Sequence, residues 1–307
     1  MIQAELRTKS SKVNSVYNFE SFFNLMKPRV MSLVLFTCMV GLLTAPVKVD
    51  FYNSILSLLA VALGAGAAGT LNMWYESDLD ALMSRTCLRP IPSGKVTNNQ
   101  ALFFGIFLSV SSILLLYFFS NLLSACLLAI TISFYFFIYT VWLKRKTSQN
   151  IVIGGAAGAL PPVIGWTIAT GNLSIEPIIL FLIIFFWTPS HFWALSLYKS
   201  NDYKKAKIPM LPITSGHEKT KKNILIYSLL MLPTLIVPYY LQIYSLVFFI
   251  PAILLTLYYI YLCVILCKVR KREANLIAKK IFIFSIAYLF LLFLLILFDN
   301  FIIYFYG

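Results

Sequence analysis

Apolar positions in this chain gather into long runs separated by short polar punctuation. Runs close to the ~20 residues that a helix needs to cross a bilayer recur at about 29–46, 52–72, 101–119, 122–143, 151–170, 176–198, 224–243, 245–267 and 280–298. Hydrocarbon offers no partner for backbone N–H and C=O groups, so each run must pair its own as a helix. The pattern predicts an all-α, polytopic membrane protein with nine transmembrane helices. Residues 1–28 form a polar arm with an amphipathic turn around Tyr17 to Phe23, and 29–307 read as a single domain. The arm carries no apolar core of the kind a signal peptide needs.

Composition agrees, since 60% of residues are hydrophobic and only 12% charged, against ~25% charged in soluble domains. The net charge of +14 raises nucleic acid as a partner, but its distribution excludes it. When the nine spans alternate across the membrane, every Lys and Arg except Lys48 falls on the side of the N-terminal arm. That asymmetry marks the cytoplasmic face. The run Lys268, Arg270, Lys271, Arg272 then reads as an orientation signal in contact with anionic lipid. The five cysteines lack a CxxC pair and imply neither a disulfide nor a metal site.

One stretch resists the oily pattern. "NMWYESDLDALMSRTCLRPIP" begins at Asn72 and places Glu76, Asp78 and Asp80 at the cytoplasmic end of the second span, followed by Arg85 and Arg89. If the helix continues, Asn72, Glu76 and Asp80 recur every four residues and form one stripe, while Asp78 points elsewhere. Gly64, Gly66 and Gly69 just before it permit close helix approach. An acidic stripe suits Mg²⁺, a hard cation commonly shared with substrate phosphates. The alternative is a solvated helix end that pairs with Arg85 and Arg89. Lys144, Arg145 and Lys146 after the fourth span add cations on the same side, and acid and base together resemble a diphosphate clamp.

Three segments carry a resemblance. "NMWYESDLDALMSRTCLRPIPSG", "YTVWLKRKTSQNIVIGGAAGALPPVIGWTIATG" and "FWTPSHFWALSLYKSNDYKKAKIPMLPITSG" resemble signature regions of the haem-farnesylating UbiA-type intramembrane prenyltransferases. The likeness runs from about Lys27 to the ninth span. It implies a ring of nine helices around a central cavity, with cytoplasmic loops at its mouth and Mg²⁺ holding an isoprenyl diphosphate. It implies transfer of farnesyl from farnesyl diphosphate to the 2-vinyl group of protohaem IX (haem B, a substrate and not a cofactor), with addition of water. Asn72, Glu76 and Asp80 match the first metal motif, N-x-x-x-D-x-x-x-D, with Glu in place of its first Asp. The second, D-x-x-x-D, is represented only by Asp202, so a second ion is less secure. On this reading Lys144, Arg145, Arg85 and Arg89 neutralise the leaving diphosphate, and Asp78, Asp202 and Tyr203 lie on the substrate side.

His191, in "FWTPSHFWAL", stands four residues after Trp187 on one helix face. Ionisable groups inside the membrane commonly mark function. Three roles stay open for it: axial ligand to haem iron, donor to a propionate, or partner of a neighbouring helix. Any one Trp among so many aromatics is by default interfacial or packed. "GGAAGALPPVIGW" balances helix packing against lining a haem slot. A transporter would place charge at mid-bilayer, and a UbiA-type enzyme with an aromatic acceptor would share the metal motif. The expected setting is the bacterial inner membrane, with the arm and catalytic loops cytoplasmic. The poorly soluble product suggests hand-over to a haem A synthase or an oxidase assembly factor.

Overall fold

The structure, a computed structural model, describes residues 19–306; residues 1–18, which hold most of the arm and the first part of its turn, lie outside the described residues. Among the described residues eight helices are long and apolar enough to cross a membrane, and a bent pair supplies a ninth. That pair is α1 (Phe19–Leu25) and α2 (Pro28–Leu43), set at 55° to one another. Lys27 forms the bend with φ 57°, a left-handed conformation that costs a non-glycine residue about 1 kcal/mol or more. Pro28 then fits the first helical position, where no backbone N–H is needed. Helix therefore begins well before the predicted first span.

α3 (Phe51–Tyr75) starts on Asp50, whose carboxylate accepts from the Asn53 N–H at 2.7 Å. It packs along α5 (Asn98–Phe119). Thr97 and Gln100 close a reciprocal capping box at the start of α5, the arrangement that pairs two orphan donors at once. α6 (Leu122–Ser133) runs into a π-helix, Phe134–Leu143, where a plain α-helix is predicted. The wider turn lets the Thr140 hydroxyl donate to Tyr135 O, five residues back, at 2.9 Å, and such segments concentrate at functional sites.

The fifth span is two helices, α7 (Asn150–Ala159) and α8 (Pro161–Thr170). Pro161 and Pro162 lack N–H groups, so the two bonds they would donate back into α7 are lost, and the ladder resumes with Ile164 N–H to Leu160 O at 2.9 Å. α8 lies against α2 in a close backbone-to-backbone approach. A Cβ on Gly165 would sit 1.9 Å from Cys38 O, and one on Gly41 would sit 2.0 Å from Pro162 O. α9 (Ile175–Tyr198) is the central strut, touching α7, the short α11 (Leu211–Thr214), α12 (His217–Leu229) and α15 (Lys271–Tyr306). α13 (Met231–Tyr240) completes the seventh span, and α14 (Leu246–Lys268) packs along α15. α15 also reaches α2, where Phe36 and Phe290 meet at 4.6 Å, so that the first and last spans are neighbours.

α15 is much longer than the predicted 280–298 because its charged first turns are helical too and the helix continues past 298 to Tyr306. Near its far end the buried Asp299 accepts from the Ser245 and Phe248 N–H groups, at 2.9 and 3.2 Å, and from the Ser245 hydroxyl. It thereby caps the N-terminus of α14, where a negative charge complements the helix dipole.

Candidate active site

The acidic stretch sits where α3 stops. Glu76 leaves helical geometry (φ −100°, ψ 14°), and a short helix, α4 (Ser77–Leu82), starts directly after it. The predicted continuous helix is thus broken at Glu76. The four-residue register survives, since Glu76 N–H still bonds Asn72 O at 3.0 Å and Asp80 N–H bonds Glu76 O at 2.8 Å. Asn72, Glu76 and Asp80 consequently stay on one side, each under 5% exposed, while the Asp78 side chain is 61% exposed. The stripe is buried, so the solvated-end alternative fails for these three residues.

Each member of the stripe faces a cation. Lys27 donates to Asn72 Oδ1 at 2.6 Å. Lys144 donates to Glu76 Oε2. The Nη1 of Arg89 donates to both oxygens of Asp80, at 2.8 and 2.7 Å. The amide of Asn72 donates in turn to Thr140 Oγ1 at 3.1 Å, so the π-helix helps to set the asparagine. Burial opposes charge on Lys144, but the adjacent Glu76 carboxylate outweighs it and holds the Lys144 pKa above its ordinary value. Glu76 Oε1 is buried without a hydrogen-bond partner, an arrangement that costs free energy unless a ligand completes it.

No sequence spacing marks Lys27, because it precedes the first span and belongs to no motif. The glycines supply the missing link. Gly66 leaves room for Met26, whose Cε would lie 2.7 Å from a Cβ there, and Gly69 lies beside Met26 O. The bend carrying Lys27 is thereby seated on α3, three residues short of Asn72.

The remaining site residues divide. Arg145 grips Asp78 through two parallel bonds, Nη1 to Oδ2 at 3.0 Å and Nη2 to Oδ1 at 2.8 Å, and lies over the Tyr75 ring. Partial burial raises the Asp78 pKa, but the hydrogen bond and charge of Arg145 prevail and hold it below the usual carboxylate value. Arg85 is exposed and forms no ion pair among the described residues. Asp202, on the short helix α10 (Ser200–Lys205), accepts from the Ser84 hydroxyl at 2.8 Å and ties that helix to the segment after α4. Among the described residues no three of His, Cys, Asp and Glu gather as a metal-binding group, so Asp202 does not join Glu76 and Asp80. Tyr203 is buried. A cavity of about 340 Å³ between these loops is lined by Arg145, Lys205 and Lys207 over Leu79, Leu82 and Ile208.

Trp187 and His191 stack at 4.3 Å within α9, and both bond Ser285 of α15. Of the other tryptophans, Trp166 and Trp193 are buried and Trp142 is 54% exposed. Gly154 and Gly155 pack against Tyr139 and Thr188, which is the packing alternative for that segment.

Membrane-crossing helices whose ends bury oxygen ligands among cations define a polytopic membrane protein with a charged site at one face. The chain belongs to the UbiA prenyltransferase family, which its residues 34–294 match. It is 64% identical over 301 residues to the protoheme IX farnesyltransferase of Pelagibacter ubique (strain HTCC1062), a match spanning 98% of this chain and 99% of the relative. It is 50% identical over 280 residues to protoheme IX farnesyltransferase 2 of Mesorhizobium japonicum, covering 91% of this chain and 89% of that protein. Among solved structures, the fold resembles a digeranylgeranylglyceryl phosphate synthase at TM-score 0.76 and 19% identity, over 92% and 98% of the two chains. It also resembles a UbiA homologue from Archaeoglobus fulgidus bound to DMAPP and Mg²⁺, at TM-score 0.63 and 17% identity over 90% and 99%.

Proposed function

We propose that this protein transfers the farnesyl group of farnesyl diphosphate to the 2-vinyl group of protohaem IX and adds water, forming the hydroxyethylfarnesyl chain of haem O. The near full-length identity of 64% to a protoheme IX farnesyltransferase carries this reading. In the reaction the allylic C–O bond breaks with its electron pair leaving on diphosphate, and the vinyl group supplies the pair for the new C–C bond. Water then adds beside the porphyrin and loses a proton.

The residues at the break fit Mg²⁺: Asn72, Glu76 and Asp80 offer oxygens, and Glu76 Oε1 lacks a protein partner. Mg²⁺ held there supplies positive charge to the diphosphate oxygens. Two carboxylates face Lys144 and Arg89, and Lys27, whose pKa burial and the nearby Arg89 push down to about 7, adds a positive charge only when it is protonated, an arrangement that a polyanion would favour. Lys144 and Arg89 lie close enough to turn from their carboxylates to the diphosphate, with Arg145 and Arg85 at the loop edge. Their preset charges stabilise the leaving group as its negative charge grows, which is usually the largest contribution to such catalysis. Asp202, Tyr203 and Asp78 contribute by fixing the loops over the substrate. Trp187 and His191 line the haem side. The apolar bundle keeps water from the farnesyl cation until the new bond forms.

We place the protein in a bacterial inner membrane, with its N-terminus and the clustered charges cytoplasmic; the near-exclusive placement of Lys and Arg on that side supports this. Haem O is too apolar to cross water freely, which favours direct transfer to a haem A synthase or an oxidase assembly factor.

Membranes containing the protein, incubated with farnesyl diphosphate, Mg²⁺ and either protohaem or a 4-hydroxybenzoate-type acceptor, provide the test. Mass spectrometry should find protohaem heavier by farnesyl plus water. A prenylated aromatic acid with unchanged haem would overturn the assignment.

A further inference from the structure

His191 sits in an unusually determined setting. Its ring is sandwiched by Trp187, at 4.3 Å and 18° between planes, and by Phe282, at 4.7 Å and 26°. Both faces are covered and Phe192 packs perpendicular to the ring at 5.0 Å, so only part of the imidazole edge remains for a ligand. On that edge Nδ1 lies 2.6 Å from the Ser285 hydroxyl oxygen.

The second contact of the serine bears on the direction of this bond. A serine hydroxyl carries one proton, and the Ser285 hydroxyl donates it to Phe282 O at 2.7 Å. With that proton on Phe282 O, the Ser285 oxygen is left to accept from His191 Nδ1, which is the sense of the bond in the Nδ1–H tautomer, with a bare lone pair on Nε2. Nε2 has no hydrogen-bond partner among the described residues, and His191 keeps 7% of its surface exposed. Trp187 Nε1 donates to Ser285 O at 2.9 Å and anchors the same turn of α15.

We propose that Ser285 is a positioning residue that holds His191 with Nε2 presented end-on, as the axial ligand of the haem iron in the acceptor substrate. This rests on the haem-acceptor reading above. The arrangement is the one that histidine ligands of metals generally need: the far ring nitrogen donates to an oxygen acceptor, which sets tautomer and orientation and raises the basicity of the ligating nitrogen. Iron held from one axial side would leave the vinyl edge of the porphyrin free for the prenyl cation.

The test uses the purified full chain in detergent, with ferrous protohaem added in the absence of prenyl donor. The chain has two histidines, His191 and His217, so labelling with ¹⁵N-histidine should shift an iron–imidazole stretch in the resonance Raman spectrum of the wild type. His217→Ala should keep that stretch; His191→Ala should lose it, and added imidazole should restore it. Ser285→Ala should weaken haem affinity about 10- to 100-fold and shift the stretch, with Ser285→Thr restoring both. Haem bound with no isotope-sensitive stretch in the wild type would overturn ligation while leaving the acceptor reading standing. No haem binding at all would overturn both. Ser285→Ala with wild-type affinity and stretch would overturn the positioning role.

Discussion

Lys27 and Asn72, 45 residues apart, are joined by a 2.6 Å hydrogen bond from the ammonium to the amide oxygen. The bond brings the bend before the first span onto the break after the second. Lys27→Met removes the charge and keeps the length. Hydrogen bonds to charged groups contribute roughly 1.5–3 kcal/mol, so KM for farnesyl diphosphate should rise about 10- to 100-fold with folding intact. An unchanged KM would remove Lys27 from the substrate site.

Because Lys144 and Arg89 already neutralise the two carboxylates, Mg²⁺ alone should bind poorly, and it should bind well once diphosphate supplies further negative charge. Titration calorimetry with Mg²⁺, with inorganic diphosphate, and with both should show strong positive coupling. Tight binding of Mg²⁺ by itself would contradict this.

Asp80→Ala frees Arg89 from its carboxylate partner and deletes one proposed metal ligand. Farnesyl transfer should fall by at least about 10²- to 10³-fold, while membrane insertion and elution from size-exclusion columns stay normal. Full activity in this variant would exclude the clamp.

The Asp78–Arg145 pair predicts a defined pH response. The folded-state pKa of Asp78 lies below its ordinary value, so its contribution is fully present above that ordinary value and is lost as pH falls through the lower, folded one. The thermal midpoint of Asp78→Asn should therefore trail the wild type by a constant amount from about pH 5 to 8, and the gap should close only below about pH 4. A gap that changes between about pH 6 and 8 would assign the effect to another group. Because Asp78 is largely exposed, the gap should be small.

Gly165→Ala tests the contact between α2 and α8. The new methyl would fall 1.9 Å from the Cys38 carbonyl oxygen, and backbone on both sides leaves no flexible atom to yield. Overpacking of this kind costs about 1–3 kcal/mol or more, so a clear drop in the melting temperature in detergent is expected. Gly158→Ala, where a Cβ meets nothing within 4 Å, serves as the control and should melt like the wild type.

The fold class was legible because hydrocarbon forces each apolar run to satisfy its own backbone, and a helix is the local answer; the spans needed no knowledge of their neighbours. The register of Asn72, Glu76 and Asp80 was equally local, since four-residue spacing survives even a break at Glu76. Which cation meets which oxygen was not local. Lys144 lies 68 residues from Glu76 and Lys27 lies 45 from Asn72, and only the packing of α1–α2 and the π-helix against α3 brings them together. The setting of His191 likewise depends on a serine 94 residues away, because the hydrogen-bond partner of its ring stands on another helix.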